Sequence, residues 1–140
     1  MSALRIFFTF LLILAAVCIA AAQGTWTVRN SGTTEDLVAV YFTSSSRGFI
    51  VGDNGFLAST RDGGASWQKY PLNTTESISE IYFRNEKNGY LVAGKLMFKT
   101  DDAGETWKQT RIYRAGDFTK GTPEFTSIRF AGKKRGLAIG

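Results

Sequence analysis

The stretch Thr60-Arg61-Asp62-Gly63-Gly64-Ala65-Ser66-Trp67 recurs 40 residues later as Thr100-Asp101-Asp102-Ala103-Gly104-Glu105-Thr106-Trp107. Both fit one pattern: Ser or Thr, any residue, Asp, any residue, Gly, any residue, Ser or Thr, Trp. The Asp can accept hydrogen bonds from N–H groups of its own tight turn, and the Gly can adopt a positive φ without a Cβ clash. The Trp can bury a large ring against a neighbouring sheet. We therefore expect structural roles for Thr60, Asp62, Gly64, Ser66, Trp67, Thr100, Asp102, Gly104, Thr106 and Trp107.

The pattern belongs to a longer repeat with a period of about 40 residues. Within a unit, alternating apolar residues and an enrichment in β-branched and aromatic side chains predict four short strands, and no helical period follows residue 23. In the first unit the predicted strands are residues 37–42, 48–52, 56–60 and 67–70. The landmarks that recur with them are Tyr41-Phe42, Tyr82-Phe83 and Arg129-Phe130, followed by Gly48, Gly89 and Gly136. Four strands in about 40 residues are typical of a β-propeller blade.

The eight-residue pattern resembles the Asp-box, or bacterial neuraminidase, repeat of several β-propeller families. The stretch Gly48-Phe49-Ile50-Val51-Gly52-Asp53-Asn54-Gly55 ahead of the first copy narrows the likeness. With it, residues 26–140 resemble the photosystem II stability and assembly factor family of seven-bladed Asp-box propellers. The second unit departs from the first, since Ala93-Gly94-Lys95 is one residue shorter than Gly52-Asp53-Asn54-Gly55. The resemblance implies an all-β fold of four-stranded antiparallel blades.

We expect residues 23–140 to supply about two and a half blades. The predicted parts are an outer closing strand at 26–29, blades at 36–71 and 77–112, and a partial blade at 126–140. A propeller closes on itself, and each blade buries its faces against its neighbours. We therefore interpret the chain as the N-terminal part of a longer ring, in which the strand of Trp26 joins the last blade.

Residues 1–22 differ in kind from the rest. Arg5 gives a weakly basic start, residues 6–22 lack charge, and Ala20-Ala21-Ala22 supply the small residues that a signal peptidase reads. We predict a signal peptide cleaved near Ala22 and export to a periplasmic, lumenal or extracellular space. A retained membrane anchor stays open, because the apolar run approaches the length needed to cross a bilayer.

The composition excludes several classes of active site. The chain has no His, and its single Cys, Cys18, lies in the predicted signal. A Ser-His-Asp triad, a Cys-His pair, a His-ligated zinc site and a disulfide framework therefore cannot form. The net charge of +5 is a mild bias toward anionic partners, and nucleic acid is not expected for an exported chain. We expect no catalytic residue, no cofactor and no metal.

Two loop regions are candidates for partner binding. Six extra residues enter between the second and third units, and insertions on repeat scaffolds concentrate in loops on one face. The loop between the first and second strands of each unit also carries basic residues, beginning with Arg47, Arg84 and Lys87, on the face of the Asp boxes. A solvated turn is the alternative for this basic loop. The candidate contact residues are Arg114, Asp117, Phe118, Lys120, Lys133, Lys134 and Arg135.

The resemblance implies a secreted, non-catalytic propeller that binds another protein, as photosystem II assembly factors do. A membrane-associated protein and a glycan are both kept open as partners. The alternative is a sialidase-like glycosidase, or a glycan-binding propeller, with its catalytic residues beyond residue 140. Sialidase chemistry needs an arginine cluster for the substrate carboxylate and a Tyr activated by a carboxylate, and the sequence indicates neither.

Overall fold

A computed structural model describes residues 24–111, 121, 123–132 and 135–140 of the chain. This part contains ten strands and no helix, and therefore no helix that is long and apolar enough to cross a membrane. The strands are β1 (Leu37–Phe42), β2 (Gly48–Gly52), β3 (Leu57–Thr60), β4 (Gln68–Tyr70), β5 (Ile78–Phe83), β6 (Gly89–Ala93), β7 (Leu96–Thr100), β8 (Lys108–Thr110), β9 (Ser127–Ala131) and β10 (Arg135–Ile139).

The strands form three antiparallel sheets in chain order. Strands β1 to β4 make the first sheet, which we call blade 1, and β5 to β8 make blade 2. Strands β9 and β10 make a two-stranded third sheet. The first strands of successive sheets lie side by side, β1 against β5 and β5 against β9. The predicted fold class is confirmed: the described part of the chain is all-β, with two four-stranded antiparallel propeller blades and two strands of a third.

The turn between β2 and β3 shows how local sequence sets this topology. Asn54 and Gly55 both have positive φ values, 53° and 68°. Two consecutive positive φ values define a type I′ turn, whose twist matches that of the flanking strands, and Asn-Gly is the pair that favours it. An added Cβ at Gly55 would also lie 2.2 Å from the carbonyl oxygen of Thr74. Only Gly fits there.

A Phe ring lies over a Gly in each sheet. The cross-strand pairs are Phe42 with Gly48, Phe83 with Gly89, and Phe130 with Gly136. A Cβ added at the three Gly would lie 2.7, 2.7 and 2.8 Å from the ring, closer than carbon atoms approach. The missing side chain therefore makes room for the ring, and this contact explains why each Phe precedes its Gly by six residues.

The sheets pack face to face through aromatic rings. Phe49 of blade 1 stacks on Phe83 of blade 2 with ring centroids 4.8 Å apart, and Tyr90 stacks on Phe130 at 4.5 Å in the next interface. Trp107 meets Phe49 and Phe83 edge-on. Each sheet thus buries its apolar face against the next one, as repeat architectures do.

Two sheet faces have no neighbour among the described residues. Blade 1 exposes Val40 and Phe42 on the side away from blade 2, and the third sheet exposes Leu137 and Ile139 on its far side. Residues 24–36 form no strand, and Trp26 is fully exposed. The closing strand at 26–29 has no partner sheet in the described part of the chain and stays a prediction.

Candidate functional site

The Asp box of blade 1 is a closed set of hydrogen bonds. The Thr60 hydroxyl donates to the Asp62 carboxylate at 2.7 Å and accepts the Gly64 N–H at 2.9 Å. The same carboxylate accepts the Ser66 N–H at 2.9 Å and the Ser66 hydroxyl at 2.6 Å. Thr60 is 1% exposed, so its hydroxyl accepts the hydrogen bond of a Gly64 N–H group that water does not reach.

The second Asp box repeats these bonds. The Thr100 hydroxyl donates to Asp102 at 2.7 Å and accepts the Gly104 N–H at 2.8 Å, and Asp102 accepts the Thr106 N–H at 2.9 Å. Ala103 takes a φ of +62°, where the first box has Gly63 at +70°. Left-handed backbone is unfavourable for Ala, so the surrounding bonds hold this turn in place.

These bonds determine the ionisation of both carboxylates. The hydroxyl and N–H of Ser66 hold the pKa of Asp62 well below its usual range, and those of Thr106 lower the pKa of Asp102 to about 2. Hydrogen bonds to the charged form stabilise it. Both groups are therefore fully ionised near neutral pH and saturated with donors, which suits a structural role and is unfavourable for proton transfer.

The Asp boxes dock on the loops between the first and second strands. Gly63 donates its N–H to the carbonyl of Ser46 at 2.8 Å, and Ala103 donates to the carbonyl of Lys87 at 2.9 Å. The turns at 61–66 and 101–106 and the loops at 43–47 and 84–88 therefore lie at one end of the blades. We call this end the Asp-box face.

Two arginines on this face converge on a carboxylate of the next blade. Arg47 and Arg61 each place Nη2 2.7 Å from Oε1 of Glu105. Arg47 also donates from Nε to the carbonyl of Ala103 at 3.0 Å, and its guanidinium lies over the Phe49 ring. One carboxylate thus pairs with two guanidinium groups and joins blade 1 to the Asp box of blade 2.

Two grooves flank the loop at residues 84–88 on the Asp-box face. One has a volume of 240 Å³ and lies between blades 1 and 2, with Tyr41 and Phe83 in its walls. The other has a volume of 360 Å³ and lies between blade 2 and the third sheet, with Tyr82 and Phe130 in its walls. Arg84 and Asn85 line both. We call these the rim grooves.

The loop between the rim grooves is held in one shape. The Asn85 side-chain carbonyl accepts the N–H groups of Lys87 at 3.0 Å and Asn88 at 2.8 Å, and the Arg84 N–H donates to the Asn88 carbonyl at 2.9 Å. The Arg84 guanidinium lies 5.8 Å from the centre of the Phe130 ring. A cation is therefore fixed between two aromatic-walled grooves.

The first strands of blade 2 and of the third sheet share a further ionic contact, which no pattern in the sequence predicted. Glu80 on β5 accepts the Ser127 hydroxyl at 2.8 Å and the Ile128 N–H at 2.7 Å, and it pairs with Arg129. Burial raises the pKa of Glu80, but hydrogen bonds from Arg129, Ile128 and Ser127 outweigh it and lower the pKa overall. Glu80 therefore joins blade 2 to the third sheet as a charged carboxylate.

The structure places only part of the predicted contact set. Arg135 is exposed at the start of β10. The other candidates lie outside the described residues, namely Arg114, Asp117, Phe118, Lys120, Lys133 and Lys134, so their role stays a prediction. Within the ranges that the structure describes, no group of three or more His, Cys, Asp and Glu side chains could hold a metal ion.

The rim grooves were not predicted, although the sequence drew attention to Arg84 and Lys87 as basic loop residues. The walls of each groove come from two units about 40 residues apart. The available signal was the recurrence of Tyr41-Phe42 at Tyr82-Phe83 and of Phe at 130. Those rings end the first strand of each unit, just before the basic loop.

Comparison with known proteins gives two kinds of match. The family model described as Photosynthesis system II assembly factor YCF48 matches residues 19–109 and 66–140. A solved structure described as YCF48 bound to D1 peptide has a TM-score of 0.70 and 24% identity, covering 84% of this chain and 38% of that one. A structure of YCF48 from Cyanidioschyzon merolae has a TM-score of 0.64 and 16% identity, covering 84% and 39%.

The chain therefore spans about two fifths of the length of these solved structures, and the likeness to them shows the fold. A comparison with curated proteins found no match. The two overlapping matches of the family model extend over residues 19–140, and on that ground the chain belongs to the Photosynthesis system II assembly factor YCF48 family.

Proposed function

We propose that the chain is an exported, non-catalytic propeller that assists photosystem II assembly by binding an extended segment of a partner protein. Membership in the YCF48 family supports the assembly role. The solved relative described as bound to a D1 peptide supports a peptide as the ligand class. The uncharged run at residues 6–22 supports export.

The observation that carries this proposal is the pair of rim grooves on either side of Arg84. Successive blades repeat the same cleft, so an extended chain that crosses the blades meets one aromatic-walled groove after another. Aromatic walls bury apolar side chains with little loss of conformational entropy, and the positive charge of Arg84 between them attracts an acidic segment. The grooves therefore suit a peptide in which apolar and acidic side chains are interspersed.

A sialidase-like function fits the described residues less well. Binding a sialic acid carboxylate needs a cluster of arginines that is open to the substrate. Arg47 and Arg61 do come together, but Glu105 bonds to both. The Asp-box carboxylates are likewise occupied by their own turns. Protein binding is thus the function that the geometry favours.

Fluorescence anisotropy with labelled, overlapping D1 peptides tests the proposal. We expect the wild-type chain to bind at least one peptide, and Arg84→Ala to weaken that binding about tenfold, because the positive charge between the grooves is lost. The matched control is Lys108→Ala, which removes an exposed cation on β8, outside both grooves. Circular dichroism melts check that both variants are folded.

Two results would contradict the proposal. If no D1 peptide binds to wild type, the ligand class is wrong. If Arg84→Ala binds as tightly as Lys108→Ala, the rim grooves are not the site. A fluorogenic sialoside assay on the same preparation tests the alternative, and we expect no turnover.

A further inference from the structure

We propose that the hydroxyl of Tyr82 binds a carboxylate of the partner segment in the rim groove between blade 2 and the third sheet. This inference rests on the proposed peptide-binding function and specifies which groove receives an acidic group. We call the groove walled by Tyr41 and Phe83 the first rim groove, and the groove walled by Tyr82 and Phe130 the second rim groove.

Tyr41 and Tyr82 hold equivalent positions in successive blades. Each directly precedes the Phe that lies over a Gly at the end of its first strand. Their rings meet edge-on, with centroids 6.3 Å apart and an interplanar angle of 71°. Any difference between the two hydroxyl groups therefore comes from their surroundings and not from their place in the blade.

The two hydroxyl groups differ in their bonds. The Tyr41 hydroxyl donates to the Phe83 carbonyl at 3.0 Å, so it joins blade 1 to blade 2. The equivalent acceptor for Tyr82 would be the Phe130 carbonyl, but within the described ranges the Tyr82 hydroxyl forms no hydrogen bond. A Tyr hydroxyl both donates and accepts, and it usually has a partner when it is buried. The hydroxyl of the half-buried Tyr82 is therefore available to a ligand.

The Tyr82 ring is also oriented differently. The Tyr41 ring is tilted by 30° from that of Phe83, whereas the Tyr82 ring is nearly parallel to that of Phe130, at 12°. On its other contact, the Tyr82 ring meets the Arg129 guanidinium, which lies 5.3 Å from the ring centre. Tyr82 thus contacts the third sheet through its ring, while Tyr41 contacts blade 2 through both its ring and its hydroxyl.

The charges favour a carboxylate in the second rim groove over the first. The guanidinium groups of Arg84 and Arg129 lie over the two rings in the walls of the second rim groove. Arg129 is paired with Glu80, and Arg84 adds a further positive charge. The first rim groove instead has Glu86 in its lining, and its Tyr hydroxyl is already bonded. A carboxylate is attracted by a cation beside a hydroxyl donor and repelled by a like charge.

The interface between blades 1 and 2 shows that such a groove stays open between complete blades. Both blades have four strands, and the lining of the first rim groove comes from the ends of β1 and β5 and the residues just after them. Of the described residues, none in the Asp box of blade 2 lines this groove, because that turn docks further along the loop, on the Lys87 carbonyl. By this precedent, an Asp box after β10 would leave the second rim groove open.

Fluorescence anisotropy with the D1 peptide that binds wild type most tightly tests the inference. Each acidic side chain of the peptide is replaced in turn by its amide, and a further peptide has an amidated C-terminus, so that side-chain and terminal carboxylates are distinguished. We expect one of these changes to weaken binding to wild type about tenfold, as loss of a hydrogen bond to a charged group does. The same change should weaken binding to Tyr82→Phe clearly less, because the hydroxyl that binds the carboxylate is already absent.

Two further variants separate binding from stability. Tyr41→Phe should lower the thermal midpoint, because it removes the bond to the Phe83 carbonyl, whereas Tyr82→Phe should leave the midpoint unchanged. Tyr70→Phe is the matched control for binding, since it removes a hydroxyl on β4 outside both grooves and should bind the peptide like wild type. An equal drop in midpoint for Tyr41→Phe and Tyr82→Phe would show that both hydroxyl groups are structural and would overturn the inference.

Failure of this inference is distinguishable from failure of the proposed function. If no D1 peptide binds to wild type, the proposed function fails and this inference falls with it. If a peptide binds but Tyr82→Phe binds it as tightly as Tyr70→Phe does, the Tyr82 hydroxyl is not a ligand-binding group. If Tyr82→Phe weakens binding of every peptide by the same factor, the hydroxyl binds a group other than a carboxylate. Either of the last two results would overturn the inference and leave the rim grooves as the binding site.

Discussion

The indole of Trp107 in blade 2 stands nearly perpendicular to the Phe49 ring of blade 1, at an interplanar angle of 87° and a centroid distance of 6.4 Å. Trp107 is 8% exposed, and its indole N–H is buried without a hydrogen-bond acceptor among the described residues. Trp107 therefore stabilises the fold by packing between two blades, and the unsatisfied indole N–H lowers the net gain in stability.

Replacing Trp107 separates these two effects. We expect Trp107→Ala to lower the free energy of unfolding by about 3–5 kcal/mol, as large-to-small core substitutions do. Trp107→Phe should cost clearly less, because it keeps a ring between the blades and removes the unsatisfied donor. Urea denaturation followed by far-ultraviolet circular dichroism measures both, and an unchanged midpoint for Trp107→Ala would contradict the interface described above.

The buried hydroxyl of Thr60 gives a second prediction. Thr60→Val keeps the shape of the side chain but leaves the Gly64 N–H without its acceptor, so it should cost about 1–3 kcal/mol. Thr110→Val on β8 is the control, since Thr110 is only half-buried and its hydroxyl bonds to none of the residues that the structure describes. Equal denaturation midpoints for the two variants would show that the Asp-box hydroxyl contributes nothing.

The Asp boxes also predict a dependence of stability on pH. The folded-state pKa of Asp102 is about 2, below the value of about 3.9 for an unfolded chain. A depressed folded pKa means that the stabilisation is fully present above about pH 4 and is lost as the pH falls toward 2. The lowered pKa of Asp62 acts in the same direction.

Urea midpoints measured from pH 7 to pH 2 test this dependence. Asp102→Asn should be less stable than wild type at pH 7 and should lose less further stability between pH 4 and pH 2. Asp101→Asn removes a neighbouring carboxylate outside the Asp-box bonds and is the matched control. Parallel curves for wild type and Asp102→Asn would show that this carboxylate is not responsible for the acid sensitivity.

The two arginines on Glu105 should differ in importance. Arg61 is 68% exposed and, among the described residues, bonds to Glu105 alone, and exposed ion pairs contribute about 0–1 kcal/mol. Arg47 is 20% exposed and also bonds to the Ala103 carbonyl, which Arg47→Ala would leave without that donor. We therefore expect a larger drop in thermal midpoint for Arg47→Ala than for Arg61→Ala, and the reverse order would contradict this account.

The Phe-over-Gly contact yields a prediction for Gly89. A Cβ at this position would lie 2.7 Å from the Phe83 ring, which is itself packed between Phe49 and Trp107. Gly89→Ala should therefore cost about 1–3 kcal/mol, as overpacking does. Gly24→Ala meets nothing within 4 Å and should be neutral in the same thermal melts. A neutral Gly89→Ala would show that the ring can move aside.

The features that the sequence predicted well depend on neighbouring residues. The strands expected at 37–42 and 48–52 coincide with β1 and β2. The third begins at Leu57 instead of residue 56, because the Phe56 N–H donates to the Asp53 carbonyl and closes the turn. Alternation and Asn-Gly chemistry act over a few residues, so one unit is enough to show them.

The features that escaped prediction lie between units. No pattern in the sequence distinguishes Glu80, because the groups that bond to its carboxylate belong to Ser127, Ile128 and Arg129, about 48 residues away. The rim grooves likewise need rings from two blades. Periodicity shows that such units stack, but it does not show which side chains meet when they do.

The ionic contacts between sheets differ from one interface to the next, although the backbone repeats. Arg47 meets Glu105 between blades 1 and 2, whereas Asn88 occupies the place of Arg47 in the following unit. Glu80 meets Arg129 in the second interface, and Ala39 occupies the place of Glu80 in blade 1. Near-identical repeats are prone to pair with the wrong neighbour as they fold. If blade 2 packed against a sheet that lacks Arg129, the half-buried carboxylate of Glu80 would be left unpaired. The ionic contacts therefore favour one order of the blades over the others.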